Sequence, residues 1–166
     1  MKITNVRATW VHVPIPPERQ HVSDFGKIAS FDSVIVKIDT DAGHVGWGEA
    51  KAGVGSASAA ADVLQPDLAI AGGLTEGVRI ASIASAYNLR LAPHLWSGAP
   101  AFAAGLALAA SQSAGFILEY SLGANPLLHE LVHEKFPVTD GQVEIPDRPG
   151  LGITVDEDFV RRHARE

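Results

Sequence analysis

Hydrophobic and polar positions along the 166-residue chain change period once, near residue 55. From Lys2 to Pro14, Val6, Ala8 and Trp10 share one parity while Val11 and Val13 fall on the other, which predicts a strand covered on both faces. A polar loop follows over 16–30, carrying Arg19, His21, Asp24 and Lys27. From Ser33 to Thr40 the alternation returns, with Val34, Val36 and Ile38 on one face and Ile35 and Lys37 opposite. Asp41-Ala42-Gly43 is a turn signal and His44 to Glu49 reads as the return strand of a hairpin. The small residues Gly53-Val54-Gly55-Ser56-Ala57-Ser58 mark a boundary.

Beyond it, short apolar runs alternate with helical spacing. Asp62 to Gln65 is a short strand stopped by Pro66, and Gly72-Gly73 turns the chain. Leu74, Val78, Ala81 and Ala84 recur at helical intervals in Leu74 to Ala86. Leu89 to Pro93 is a second strand, Phe102 to Gln112 an Ala-rich helix, and Phe116 to Tyr120 a third strand. Strand, helix, strand, helix, strand with such short connections predicts a parallel βαβαβ arrangement. A short helix over Leu127 to Glu134 and a Gly/Pro-rich tail complete the chain.

Composition narrows the function. Hydrophobic residues make up 46% and charged residues 19%, the profile of a globular chain. The net charge of −6 argues against nucleic acid; Arg161, Arg162 and Arg165 cluster, but Asp156, Glu157, Asp158 and Glu166 surround them. No window reaches a membrane-spanning length, and the alternating N-terminus offers no signal-peptide core. Zero cysteines removes disulfides, thiolate catalysis and Cys-ligated zinc, and fits a cytoplasmic location.

Three polar residues fall at the ends of the three parallel strands: Asp67, His94 and Glu119, separated by about one βα unit each. The C-terminal edge of such a sheet is where loops converge on a ligand. Adjacent strands lie about 4.8 Å apart, so Asp67 can reach one imidazole nitrogen of His94 and raise the basicity of the other, as a general acid/base needs. Glu119 then sits on the far side of His94. The alternative is a helix-capping Asp67, a loop His94 and a solvated Glu119.

Other signals compete. His129-Glu130-Leu131-Val132-His133 matches the His-Glu-x-x-His zinc pattern, two imidazoles one helical turn apart with a glutamate as base, although Glu144 is the only further ligand at hand. Gly53-Val54-Gly55 lacks the residues of a phosphate-cradling loop. Trp96 stands beside His94 and could wall the site. His12, His21 and His44 lack ligand spacing and read as structural, with His21 possible in the lining of the 16–30 loop.

Five segments, in order, carry a family resemblance: Val45-Gly46-Trp47-Gly48-Glu49-Ala50; Gln65-Pro66-Asp67 with Gly72-Gly73-Leu74-Thr75-Glu76; Ala92-Pro93-His94; Leu118-Glu119-Tyr120; and Ile145-Pro146-Asp147-Arg148-Pro149-Gly150-Leu151-Gly152-Ile153. Together they resemble the mandelate racemase/muconate lactonizing group of the enolase superfamily. The resemblance implies an α/β fold with an α+β N-terminal capping module and a partial (β/α) barrel holding strands six to eight. The units implied are an incomplete capping domain (1–55), a partial barrel (56–136) and a tail (137–166) that returns to the capping domain. It implies Mg-dependent chemistry in relatives: removal of a proton next to a carboxylate of an acid sugar, as in dehydratases and racemases. Asp67 and His94 match the acid/base dyad and Glu119 the residue that hydrogen-bonds the substrate carboxylate. The loop carrying His21 and Asp24 looks like the one that closes over the substrate; Trp96, placed on the substrate side only by its position beside His94, has plain packing as its alternative.

The same resemblance shows what is missing. A full barrel needs eight βα units. Here the capping segment runs into the sixth strand, without the Lys-x-Lys bases or the three carboxylates that hold magnesium. The chain is therefore expected to hold no metal of its own and to be catalytically incomplete alone. Unpaired sheet edges predict homo-oligomers or strand exchange. The remaining expectations are a non-catalytic binding or assembly module, or a zinc hydrolase through His129 and His133.

Overall fold

The computed structural model describes residues 1–23, 26–51 and 63–165, with only the backbone of His21, Ser23, Ala50 and Lys51. Its first unit is a three-stranded antiparallel sheet of order β1-β4-β5, formed by Ile3–Pro14 (β1), Ser30–Thr40 (β4) and Val45–Lys51 (β5). Trp10 faces Val34 across the β1/β4 ladder, and Lys37 faces Trp47 across β4/β5. The hairpin turn forms where Asp41-Ala42-Gly43 requires it: Gly43 takes a φ of +77°, and the Thr40 hydroxyl bonds the His44 backbone at 3.0 Å. A left-handed residue without a Cβ is what a tight turn of this kind demands.

One face of this sheet is core and the other is open. Val11, Val13, Phe31, Ser33 and Ile35 are buried, whereas Val6 is 58% and Trp10 49% exposed. The expectation that β1 is covered on both faces is thus corrected: only the parity of Val11 and Val13 meets the rest of the chain. The 16–30 loop is also more ordered than its polarity suggests. It holds a single 3-10 turn at Pro17–Arg19 and a small hairpin of His21–Ser23 (β2) and Gly26–Ile28 (β3).

The second unit is smaller in strand content than expected. Val63–Leu64 (β6) and Arg90–Leu91 (β7) pair in parallel, and a single parallel bridge joins Leu91 to Gly115. The third strand over 116–120 does not form. After Phe116 donates its N–H to Leu91 O at 3.0 Å the chain leaves the sheet, with Phe116 and Ile117 more than half exposed. Among the described residues there is no closed barrel.

Between β6 and β7 lies the helix Gly73–Ala86 (α1), and after β7 the helix Ala99–Ser111 (α2). The buried stripe of α1 is Gly77, Ala81 and Ala84; Leu74 and Val78, expected to share it, are 40% and 43% exposed. Small residues win that stripe because α2 packs closely there. A Cβ on Gly77 would stand 2.6 Å from Leu68 Cδ2 and 3.0 Å from Leu108 Cδ2. Helix α2 is apolar all round and buried nearly all round, as a central helix should be. Phe102, Ala103 and Leu106 join the larger core with Val11, Phe31 and Ile35, while Ala104 and Leu108 join a smaller one with Leu68 and Leu91. The two units therefore share one helix.

The rest of the chain closes over the larger core. The helix Pro126–His129 (α3) spans four residues, shorter than the expected 127–134. A hairpin of Val138–Thr139 (β8) and Gln142–Val143 (β9) follows. The last helix, Glu157–His163 (α4), is capped by Asp156, whose carboxylate accepts the N–H groups of Asp158 and Phe159. Phe159 and Val160 bury against β1, and the Arg165 N–H reaches Trp10 O at 3.1 Å.

Candidate active site

The parallel pairing continues past the ends of β6 and β7 and sets two side chains next to each other. Ala92 N–H donates to Leu64 O at 2.9 Å and His94 N–H to Pro66 O at 3.2 Å. This zipper places Asp67 and His94 at neighbouring strand ends. Asp67 is 8% exposed, and its Oδ1 accepts the Ala69 N–H at 2.9 Å, so the carboxylate cannot rotate freely. Its Oδ2 lies 2.9 Å from His94 Nδ1. An ionised carboxylate only accepts, so the proton in this bond belongs to Nδ1 and, in the neutral ring, the lone pair stands on Nε2. That is the tautomer a general base requires at Nε2.

Glu119 completes the cluster from the extended segment after the Leu91–Gly115 bridge. Its Oε2 accepts the Leu95 N–H at 2.6 Å and stands 4.0 Å from His94 Nε2. Four ångström is too long for a hydrogen bond. The outer face of the trio is open: the His94 and Glu119 side chains are 37% and 41% exposed while Asp67 lies beneath. Asp67, His94 and Glu119, read from the spacing of strand ends, are brought together.

A third carboxylate, absent from the sequence-based site expectations, reaches this region from the other unit. Glu49 of β5 accepts the Gly98 N–H at 2.7 Å, the Ala101 N–H at 3.2 Å and the Ser33 hydroxyl at 2.8 Å. It thereby holds the N-terminus of α2, four residues beyond His94. Burial pushes its carboxyl above the ordinary glutamate range, the three donors pull it back in part, and the Asp67 charge adds to the upward push. Strand alternation could not have found it, because the Gly98 and Ala101 amides it holds lie 49 and 52 residues downstream.

The remaining candidates are dispersed. The Trp96 ring lies at the edge of the larger core, 6.4 Å from the Phe31 ring. His21 is in β2 opposite Ile28, and its side chain, like all of Asp24 and of Gly53-Val54-Gly55, lies outside the described residues. His12 pairs through Nδ1 with Asp32 at 2.9 Å, and the exposed His44 donates its backbone N–H to Thr40. The His-Glu-x-x-His pattern does not become a helix. Asn125 caps α3, Glu130 already leaves helical geometry, and His133 N–H bonds Thr154 O in an extended crossing. The one-turn spacing that would aim the His129 and His133 imidazoles at one ion is therefore lost, and Glu144 sits beyond β9 without joining them.

The fold agrees with known proteins. The family model described as Enolase C-terminal domain-like matches residues 2–159. The chain belongs to the mandelate racemase/muconate lactonizing group of the enolase superfamily. It is 40% identical over 108 residues to a D-galactonate dehydratase of Xanthomonas oryzae pv. oryzae, covering 60% of this chain and 28% of that protein. It is 30% identical over 161 residues to a D-galactarolactone cycloisomerase of Agrobacterium fabrum, covering 91% of this chain and 40% of that one. The crystal structure of an enolase superfamily member from Polaromonas sp. JS666 superposes over 100% of this chain and 98% of its own with a TM-score of 0.83; at 15% identity it shows the fold alone. The chain thus spans well under half the length of the curated relatives it matches.

Enolase superfamily members use Mg²⁺, a hard cation that takes several oxygen ligands. Among the described residues, no three His, Asp or Glu side chains gather so as to hold a metal ion. Asp67 and Glu119 flank an imidazole, and each already accepts a backbone N–H. The donor set described here does not fit the superfamily's metal. No helix among these residues is long and apolar enough to cross a membrane.

Proposed function

We propose that this enolase superfamily chain carries the proton-transfer half of an acid-sugar dehydratase or racemase site, with Asp67 and His94 as its dyad. The observation that carries the reading is the 2.9 Å contact between Asp67 Oδ2 and His94 Nδ1, with Nε2 on the open side facing Glu119. In that reaction Nε2 takes the proton from the carbon next to a substrate carboxylate. The resulting imidazolium, held by Asp67, gives it to a departing hydroxyl; in a racemase the carbon takes its new proton on the opposite face from a second acid. Glu119 would hydrogen-bond the substrate carboxylate. His21, Asp24 and Trp96 are proposed for the substrate side. The parallel β6/β7 pair and the Leu91–Gly115 bridge fit strands six to eight of a barrel, within units 1–55, 56–136 and 137–166. The names of the relatives support a sugar-acid substrate such as galactonate.

Removing a proton next to a carboxylate leaves charge that must be stabilised, and this is usually the largest catalytic contribution. With no donor set for a divalent cation described, the chain alone is proposed to bind the acid without turning it over. Incubation with D-galactonate in D₂O, with and without Mg²⁺, is expected to leave the α-proton unexchanged while shifting the His94 imidazole resonances. Exchange above background overturns the incompleteness; an unmoved imidazole overturns the site. The second reading, a non-catalytic assembly module, is favoured by the open apolar face carrying Val6 and Trp10.

A further inference from the structure

We propose that Glu49 is a positioning residue for His94, the sheet's own hand on the loop that carries the imidazole. This rests on the dyad reading above and adds a part that neither strand end supplies. Besides the His94 N–H to Pro66 O bond, four described contacts hold the loop 94–98. His94 Nδ1 meets Asp67, and Leu95 N–H meets Glu119. Ser97 O accepts from Asn125 Nδ2 at 2.8 Å, and Gly98 N–H meets Glu49. The fourth contact ties the loop by a hydrogen bond to the N-terminal sheet, where the Trp96 ring also meets Phe31.

The fit is close enough to exclude a side chain at the contact. A Cβ on Gly98 would stand 2.7 Å from Glu49 Oε2 and 2.9 Å from Oε1. Gly98 has an ordinary extended backbone, φ −81°, so what its position forbids is the collision with Glu49 rather than a strained φ. The carboxylate also sits where the first-turn N–H groups of α2 lack helical partners, and the first turn of α2 carries no acidic residue of its own. Glu49 supplies from β5 what α2 lacks, and the Ser33 hydroxyl of β4 fixes the carboxylate from behind.

Charge links the same group to the dyad. The titratable neighbour that Glu49 feels is Asp67, which in turn bonds His94. Glu49 and Asp67 thus interact by charge, and Asp67 bonds His94, so removing the Glu49 charge is expected to reach the imidazole through that contact. Geometry and charge can be separated by two substitutions. Gly98→Ala displaces the carboxylate but keeps its charge; Glu49→Gln keeps most of the shape but removes the charge.

The test is ¹⁵N NMR of the His94 imidazole across pH, with circular dichroism and thermal melting to follow the fold. For Glu49→Gln the titration midpoint of His94 is expected to fall. For Gly98→Ala, hydrogen exchange at the Leu95 and Ala101 amides is expected to speed up about tenfold or more, with a change in the Nδ1–H tautomer population. Lower melting temperatures with an unchanged His94 midpoint and tautomer in both variants would make Glu49 a purely structural cap and overturn the proposal. If Glu49→Gln fails to fold, Gly98→Ala and the melting-independent tautomer readout decide. Asp67→Asn is the control: a His94 titration that ignores that substitution indicts the dyad, whatever Glu49 does.

Discussion

Where a proton sits on four carboxylates and one imidazole governs the chemistry at the scale of single residues. Glu49 and Asp32 make opposite contributions to stability as pH changes. The Glu49 carboxyl is pushed up by burial, beyond what the Gly98, Ser33 and Ala101 donors restore. A group raised in the folded state binds its proton more tightly there than in the unfolded chain. Its contribution is therefore full below the ordinary glutamate range and is lost as pH rises through the raised value. Partial burial pushes Asp32 up, but hydrogen bonds from His12, Ser30 and Trp10 overcome it and hold the carboxyl low. Its contribution is present above the ordinary aspartate range and is lost as pH falls through the lowered value. Chemical denaturation at a series of pH values should show Glu49→Gln losing the decline on the alkaline side of the glutamate range. Asp32→Asn should lose the decline on the acid side. A pH profile unchanged in either variant contradicts the corresponding assignment.

Backbone approach decides the outcome at the scale of elements. Gly115 closes the parallel bridge to Leu91, and a Cβ there would run into the Ala109 carbonyl at the end of α2. Gly115→Ala is expected to destabilise by about 1–3 kcal/mol, because backbone rather than a flexible side-chain tip must give way. Phe102 of α2 is fully buried and packs on Tyr120 and Phe136 at 5.4 and 4.9 Å, so Phe102→Ala should cost about 3–5 kcal/mol. Denaturant melts check both, and a neutral Gly115→Ala would mean that the chain end of α2 is looser than described.

The same contacts explain what was legible beforehand. The β4/β5 hairpin, α1 and α2 announce themselves through local period and turn chemistry, and the Asp67–His94–Glu119 cluster through its one-βα spacing. The strand over 116–120 misled because Phe116 and Ile117 are apolar, yet a strand exists only where a neighbour accepts its ladder. Residues 127–134 misled because helical spacing of Leu127, Leu128 and Leu131 also suits a turn packed on a core. Glu49 was hidden because a carboxylate on a strand reads as solvated until the sheet folds onto α2.

Over the whole molecule, one helix is shared by two cores and one sheet face is shared with nothing described. Val6, Ala8 and Trp10 of β1 lie on that face opposite Ile38, Val36 and Val34 of β4, with Gly46 and Gly48 of β5 beside them. Among the described residues, His12 and Trp10 reach Asp32 at one end of this face. A contiguous apolar face of this kind favours association, and a second copy of the chain is the partner at hand in a pure solution. Sedimentation velocity over a concentration series should show a reversible shift to larger species that Val6→Lys suppresses. A single species at all concentrations contradicts it.

The central claim is that Asp67 fixes His94 with its proton on Nδ1, leaving Nε2 to do the chemistry. The most direct measurement is the ¹⁵N shift of both His94 ring nitrogens through a pH titration, in the native chain and in Asp67→Asn. The native chain should show the Nδ1–H tautomer when neutral, and the midpoint should fall by about one unit in Asp67→Asn. A neutral ring protonated on Nε2, or a midpoint indifferent to Asp67, contradicts the account.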